Sequence, residues 1–332
     1  MNQKPRISVI IPTYNRKEPV LRALDSLSRQ TLPPEAYEVI IVDDGSPDDA
    51  SFLEGRDYPF TLRRIRQPNR GATAARNYGA QQSAGEILVF MDDDVVVAPG
   101  ALEALANACA RYRKTVALGA LEQRCPDGAS LYARFGNELP PVPETANGDA
   151  VLPFAECNTQ LLAVKRDDFF EIGMLQDPTG GRGWPNWDDV DFGYRAHLHG
   201  FRLVRCAAAA GEHRDYSLAA LDIAARRWER ACKSAVWLFQ THPGLQPHIP
   251  MLADKTPIAW GHDSPALIAR KLARYVASSR PVLATLEGMA RLLERYFPAP
   301  ALLRPLYRWV NGGYMFRGYR AGLRALKQER KR

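Results

Sequence analysis

Glu86-Ile87-Leu88-Val89-Phe90-Met91-Asp92-Asp93-Asp94 is an apolar run that ends in three consecutive carboxylates. An unbroken apolar segment of this length reads as a buried strand, so the aspartates sit at its C-terminal end. Three adjacent carboxylates repel one another unless a cation neutralises them. A hard divalent ion held by carboxylates, with positions left open for substrate phosphates, is the usual arrangement. A strand leading into an acidic surface turn fits the same residues, and the rest of the chain decides between the two.

Working outward, residues 7–11 read as a strand followed by the loop Pro12-Thr13-Tyr14-Asn15, and residues 18–30 have helical spacing through Val20, Leu21, Leu24 and Leu27. A second strand, 39–42, is closed by Asp43-Asp44-Gly45-Ser46, a turn signal. Residues 62–65 give a third strand, and 73–82 a helix that leads through Gly85 into the quoted run. Beyond it lie a helix over 99–112 and a strand over 116–121, then a Pro- and Gly-rich stretch, 122–155, of loops and short strands. A further helix is expected from Asp188 to His199, capped by Gly200. Alternation at this spacing means βαβ units and a mainly parallel sheet, whose ligands bind at the carboxyl ends of the strands. Thr13 and Tyr14, Asp43 and Asp44, and the three aspartates all fall at that edge.

After His213 the character changes. Residues 217–240 have helical spacing, and the remainder is helical with repeated prolines. The expected division is a catalytic domain over 1–215 and a basic helical region over 216–332. The net charge of +7 is unevenly spread, because residues 266–332 carry 15 Lys or Arg against 3 Asp or Glu. So concentrated a basic end suggests an anionic partner. Five scattered cysteines without a C-x-x-C pair argue against a disulfide framework or a zinc site and fit a reducing cytoplasm. No signal-peptide h-region and no run of about 18 apolar residues is present. The expected location is therefore the cytoplasm, with peripheral contact to the inner face of the membrane.

Four segments together resemble family 2 glycosyltransferases: Ser8-Val-Ile-Ile-Pro-Thr-Tyr-Asn-Arg16, Val39-Ile-Ile-Val-Asp-Asp-Gly-Ser46, Asn69-Arg-Gly-Ala-Thr-Ala-Ala-Arg-Asn77 and Phe90-Met-Asp-Asp-Asp-Val95. That family has the GT-A fold, uses nucleotide-sugar donors and inverts the anomeric carbon. The resemblance runs from residue 5 to about 215. It implies a base pocket lined by Pro12, Thr13, Tyr14 and Arg16, with Asp44 accepting from the nucleobase or ribose, as a carboxylate can. Arg76 would face the diphosphate, where a guanidinium can fork onto phosphate oxygens. Asp92 and Asp94 match the family's D-x-D, with Asp94 the direct ligand of Mg²⁺ or Mn²⁺. Asp93 would bind ribose or structure the turn, and His213 would lie near the metal.

Downstream, Trp187-Asp-Asp-Val-Asp191-Phe-Gly-Tyr-Arg195 resembles the family's acidic motif at a helix start. The resemblance makes Asp189 the general base that takes the acceptor proton, although Asp188 stands where many members have Glu. Asp188 also suits an N-cap, and Asp191 is placed to brace Arg195. Asn158 matches a loop near the donor sugar. Residues 180–187 look like a glycine-hinged loop whose Trp184 or Trp187 could stack on a sugar face; both could instead be plain packing. Processive members carry Q-x-x-R-W on a following helix. Here Arg227-Trp228 is preceded by Ala224, so addition of one sugar per encounter is expected. The base-pocket residues suit a pyrimidine, which favours UDP or dTDP. The acceptor is expected to be a saccharide or lipid-linked hydroxyl in cell-surface polysaccharide, glycolipid or glycoconjugate synthesis.

Other readings fare less well. Asp92-x-Asp94-x-Val96 fits the nucleophile motif of haloacid dehalogenase phosphatases, but that motif opens the first strand and here two βα units precede it. A nucleotidyltransferase would need a Gly-rich basic N-terminal signature that is missing. A catalytically lapsed carbohydrate- or membrane-binding module would have no chemical need for Asp44, Asp92, Asp94 and Asp189 together. No zinc, helix-turn-helix or RNP pattern supports a nucleic-acid partner.

Overall fold

The computed structural model describes residues 5–48, 51–125, 130–136, 148–179, 187–214 and 220–331. The elements, in chain order, are β1 (Ile7–Thr13), α1 (Lys17–Leu27), β2 (Tyr37–Asp43), β3 (Thr61–Arg66), α2 (Ala72–Gln82), β4 (Ile87–Met91), β5 (Val95–Val97), α3 (Ala101–Arg111) and β6 (Thr115–Gln123). There follow α4 (Leu131–Gly136), β7 (Ala150–Leu152), β8 (Leu161–Lys165), α5 (Arg166–Ile172), α6 (Asp188–Leu198), β9 (Arg202–His213), α7 (Leu221–Thr241), α8 (Pro265–Ala277), α9 (Arg280–Tyr296) and α10 (Pro300–Glu329). The chain divides into two compact units. One comprises residues 1–124, 141–176 and 188–214, and the other 125–140, 177–187 and 215–332.

The first unit holds one mixed sheet in the order β3-β2-β1-β4-β8-β6-β9-β5, with β7 paired to β9. β1, β2, β3 and β4 are mutually parallel, as the βα alternation requires. β8 then enters antiparallel between β4 and β6, and β9 runs parallel to β6 but antiparallel to β5. The central strands β1, β2 and β4 are buried at every position because both faces are covered. Alternate side chains feed opposite cores. Ile7, Val9 and Ile11 of β1 join Ile87, Val89 and Met91 of β4 against Leu24 and Leu27 of α1 and Leu102 and Leu105 of α3. Ile10, Leu88 and Phe90 face the other way, with Phe169 of α5 and Phe192 of α6. The Phe90 and Phe169 rings lie 4.9 Å apart.

The N-terminal ends of β1, β2 and β4 are tied by a buried carboxylate. Glu38 accepts from Ser8 Oγ (2.6 Å) and from the Ala84 amide (2.7 Å), and pairs with Arg63 at 3.1 Å. Ser8 Oγ also accepts from the Gly85 amide at 2.8 Å. A Cβ on Gly85 would stand 2.5 Å from the Ser8 backbone nitrogen, with no side chain able to give way. Gly85→Ala is expected to cost about 1–3 kcal/mol, as overpacking does, and to lower the melting temperature by several degrees. An unchanged Tm would show that the strand ends are looser than this packing implies.

The second unit is helical. Tyr132 of α4 packs edge-on against Tyr307 of α10 at 5.0 Å, within a core that includes Ala224, Ala290, Leu303 and Leu306. Gly318 and Gly322 on α10 face the carbonyls of Glu229 and Lys233 on α7, which leaves no room for a Cβ. That close approach is what small residues permit.

Candidate active site

Parallel register brings the sequence clusters together. Thr13 ends β1 opposite Asp43 of β2, and the chain leaves β4 at the same edge into Asp92, Asp93 and Asp94. The two sequence-adjacent clusters are then stitched by long-range bonds. Thr13 Oγ1 donates to Asp93 Oδ2 at 2.8 Å. The Arg16 guanidinium spans Asp93 Oδ1 and Asp94 Oδ2, each at 2.8 Å. Asp93, expected to bind ribose or to structure the turn, is thus occupied by the β1 loop and is buried. Burial, reinforced by Asp94 and opposed by Arg16, pushes its carboxyl up to about 7.

Asp94 is buried too, which on its own would raise its carboxyl, but His213 and Arg16 outweigh that and hold it below the usual range. His213 Nε2 lies 3.1 Å from Asp94 Oδ1. Its position follows from the sheet. As the last residue of β9 it pairs with Val95 on one side and with Gln123 on the other. The Gln123 carboxamide meets His213 Nδ1 at 3.1–3.2 Å. With a proton on Nε2 the imidazole donates to Asp94 Oδ1; with the proton on Nδ1, donated to the Gln123 carboxamide oxygen, Nε2 is freed as a ligand, the arrangement that outer partners impose on a metal-ligating histidine. Donor atoms of Asp92, Asp94 and His213 all lie within 4.8 Å of one another. Two carboxylates and an imidazole form a donor set suited to Mn²⁺ or Mg²⁺. The residues present therefore fit a divalent ion.

Arg76 belongs to this cluster and is no surface residue. It is buried, and Nη2 donates to Asp92 Oδ1 at 2.5 Å. Burial works to lower its pKa, yet Asp92 and Asp188 raise it on balance. Its Nε is buried without a hydrogen-bond partner among the described residues. An orphaned guanidinium N–H is costly, so this donor is open for an anion. Thr73, one helical turn earlier on α2, donates to Asp188 Oδ2 at 2.7 Å. Asp188 starts α6 and is raised by burial against the opposing pull of Arg76 and Thr73.

Asp189 is held differently. Its Oδ1 accepts the Val190 amide at 2.8 Å, and its own backbone amide also reaches the carboxylate. Burial and the adjacent Asp188 push it up to about 7. Asp191 braces Arg195 at 2.7–2.8 Å, and Arg195 in turn donates to the carbonyls of Ile172 and Met174.

Asp44 is buried and organises the next loop. Oδ1 accepts from Gln67 Nε2 (2.7 Å) and the Arg70 amide (2.9 Å), and Oδ2 from the Gly71 amide (2.8 Å). Four lone pairs against three donors leave one acceptor position on Oδ2. Pro12 is buried within β1, whereas Tyr14 is exposed beside it. Asn158 turns onto its own loop, donating to the Glu156 carbonyl at 3.2 Å. The neighbouring Gln160 carbonyl accepts the Asp92 amide at 3.0 Å, so this loop backs the aspartates.

Trp187 departs from expectation. It is buried in the helical unit, and its indole N–H donates to the Ala231 carbonyl at 2.8 Å, so its face is not offered to a sugar. Trp184 and residues 180–186 lie outside the described residues. Sequence reasoning missed Thr73, Gln123 and Gln67. Thr73 carried a signal, its i, i+3 spacing from Arg76. The other two carried none.

The mixed sheet is the GT-A arrangement, and solved structures share that fold. A mannosyltransferase from Pyrobaculum calidifontis, solved with GDP-Man and Mn²⁺, aligns with a TM-score of 0.58 over 97% of this chain and 88% of its own at 20% identity. GalNAc-T7, solved with UDP, GalNAc and Mn²⁺, aligns with a TM-score of 0.51 over 64% of this chain and 44% of its own at 16% identity. Residues 8–159 match the family model described as Glycosyl transferase family 2. A validoxylamine A glucosyltransferase of Streptomyces hygroscopicus subsp. limoneus is 30% identical over 228 residues, 60% of this chain and 49% of that protein. Glycosyltransferase AglE of Haloferax volcanii is 33% identical over 134 residues, 40% of this chain and 44% of that protein. The chain thus spans about half the length of these curated relatives.

Proposed function

We propose that the protein transfers one sugar from a nucleoside-diphosphate sugar to an acceptor hydroxyl with inversion. The observation that carries this is one sheet edge that holds a three-residue cation site, an open buried arginine donor and a separate carboxylate raised towards neutrality. Asp92, Asp94 and His213 would hold a divalent ion, Mn²⁺ or Mg²⁺. Such an ion, when bound, supplies Lewis-acid neutralisation of the departing diphosphate. Arg76 Nε donates to a phosphate oxygen, and its pairing with Asp92 fixes the guanidinium for that task. Asp44 uses its remaining lone pair on the ribose or on an imide N–H, which favours UDP or dTDP. Thr13 and Arg16 act through Asp93 and Asp94 by holding the carboxylates in place. Asp189 takes the proton from the acceptor hydroxyl as that oxygen attacks the anomeric carbon. A base whose pKa is near operating pH both accepts the proton and is present ionised.

The acceptor reading remains a saccharide or lipid-linked hydroxyl in cell-surface glycoconjugate synthesis. Exposed Leu292, Tyr296 and Phe297 at the end of α9, together with the basic C-terminal charge, support peripheral contact with an anionic membrane face. No described helix is long and apolar enough to cross a membrane.

Donor class and stereochemistry are tested in one experiment. The protein is incubated with UDP-, dTDP-, GDP- and ADP-sugars and Mn²⁺, with water as the default acceptor, and early time points are read by proton NMR. Release of one nucleoside diphosphate with a sugar of inverted anomeric configuration is expected. Retained configuration would exclude the single-displacement role of Asp189.

A further inference from the structure

The helical unit contains a second cation-rich cavity that the transferase reading does not use. It has a volume of about 400 Å³ and lies where the end of α8, the start of α9 and the C-terminal half of α10 meet. That volume is in the range of small-molecule sites. Four arginines line it. Arg317, Arg320 and Arg324 come from α10 at i, i+3 and i+7, a spacing that puts them on one helix face. Arg280 comes from the first residue of α9. The lone carboxylate in the lining is Glu229, 3.4 Å from Arg317. Arg320 is held over the Tyr275 ring at 4.8 Å, which fixes the guanidinium and leaves its charge unneutralised. Among the described residues no carboxylate pairs with Arg280, Arg320 or Arg324.

Two further features point the same way. Ser279, the N-cap of α9, makes no capping hydrogen bond with its side chain and lines the cavity beside Arg280, which places the positive end of a 17-residue helix at its wall. Like charges converging in a concavity repel, and a multiply charged anion is what relieves them. Guanidiniums suit phosphate oxygens in particular, because their paired N–H groups match that geometry. Tyr275, which lines the cavity, and its chain neighbour Val276 are exposed apolar surface on α8.

We propose that this cavity binds a diphosphate group, with Arg280, Arg320 and Arg324 as its main donors. The exposed Tyr275 and Val276 suit a diphosphate that carries an apolar chain. The inference stands on the helical unit alone and survives if the transferase reading fails.

The test is titration calorimetry of the full chain in EDTA, so that no metal-bound diphosphate can occupy the aspartate cluster. The probes are inorganic pyrophosphate and farnesyl diphosphate. Arg280→Gln/Arg324→Gln removes two exposed arginines on which the fold does not depend. Arg291→Gln/Arg295→Gln removes equal charge near the other end of α9. Wild type is expected to bind, the first double variant to bind at least about tenfold more weakly, and the second to stay within about twofold because the distance is screened. Tighter binding of farnesyl diphosphate would identify a lipid-borne diphosphate as the ligand, and equal binding a free one. Failure of wild type to bind either probe, or equal loss in both double variants, overturns the proposal.

Discussion

Replacing Asp189 by asparagine is expected to lower kcat by about 10²- to 10⁴-fold, the range that general-base catalysis supplies. Donor affinity should stay within about twofold, because nothing in the nucleotide cluster bonds to this side chain. The asymmetry with Asp188 is the physical reason. Asp188 is spent on Thr73 and on the field of Arg76, so its loss should disturb α2 and α6 first. Asp189 accepts from backbone amides of its own helix start, while burial and Asp188 lift it to about 7. The wild-type rate should therefore fall as pH drops below about 7, where the base becomes protonated. In the asparagine variant that acid limb should vanish from whatever activity is left. Retention of more than about a tenth of wild-type kcat would remove Asp189 from the proton-transfer role.

The same shift has a sign for stability. A carboxyl raised in the folded state binds its proton more tightly there than in the unfolded chain. Its contribution is fully present below the ordinary aspartate value of 3.8 and is lost as pH rises through about 7. Asp189→Asn removes the buried charge, so the variant should be at least as stable as wild type at pH 8. Loss of activity without loss of Tm would then separate chemistry from folding.

The strands that carry the site were legible because each is a short apolar run closed by a polar turn. β1, β2 and β4 fall within two residues of the expected 7–11, 39–42 and 86–91. The antiparallel β8 was not. Leu161-Leu-Ala-Val is too short to separate strand from helix by periodicity, and nothing local encodes its insertion between β4 and β6. The residue identities in the site were legible as types, but their partners were not. Arg16 reads as part of a nucleotide loop, yet its bond to Asp94 spans 78 residues of chain and depends on the parallel register of β1 and β4. Trp187 shows the opposite error. An aromatic next to an acidic motif suggests a sugar platform, but an indole N–H that finds a buried carbonyl packs like any core tryptophan.

Asp94→Ala should abolish metal-dependent nucleotide binding. The Asp94 carboxylate is the point where the cation site, Arg16 and His213 meet, with contacts of 2.8 Å and 3.1 Å. Without it, Asp92 and His213 remain as two donors that no longer share a central oxygen ligand, and Arg16 loses Asp94 while keeping its bond to Asp93. A ligand at a hundred times its Kd stabilises the folded state by about 2.7 kcal/mol. For a domain of about 200 residues that corresponds to a rise in Tm of roughly 5–11 °C. With Mn²⁺, wild type should show a rise of this order for the matching member of a UDP, dTDP, GDP, ADP and CDP panel. EDTA should reduce it to the small residual that Arg76 can hold alone. Asp94→Ala should show that residual with or without Mn²⁺. His213→Gln, which keeps both carboxylates, should fall between the two. An Mn²⁺-dependent rise in Asp94→Ala equal to that of wild type would place the cation elsewhere, and the sheet edge would lose its claim to the donor diphosphate.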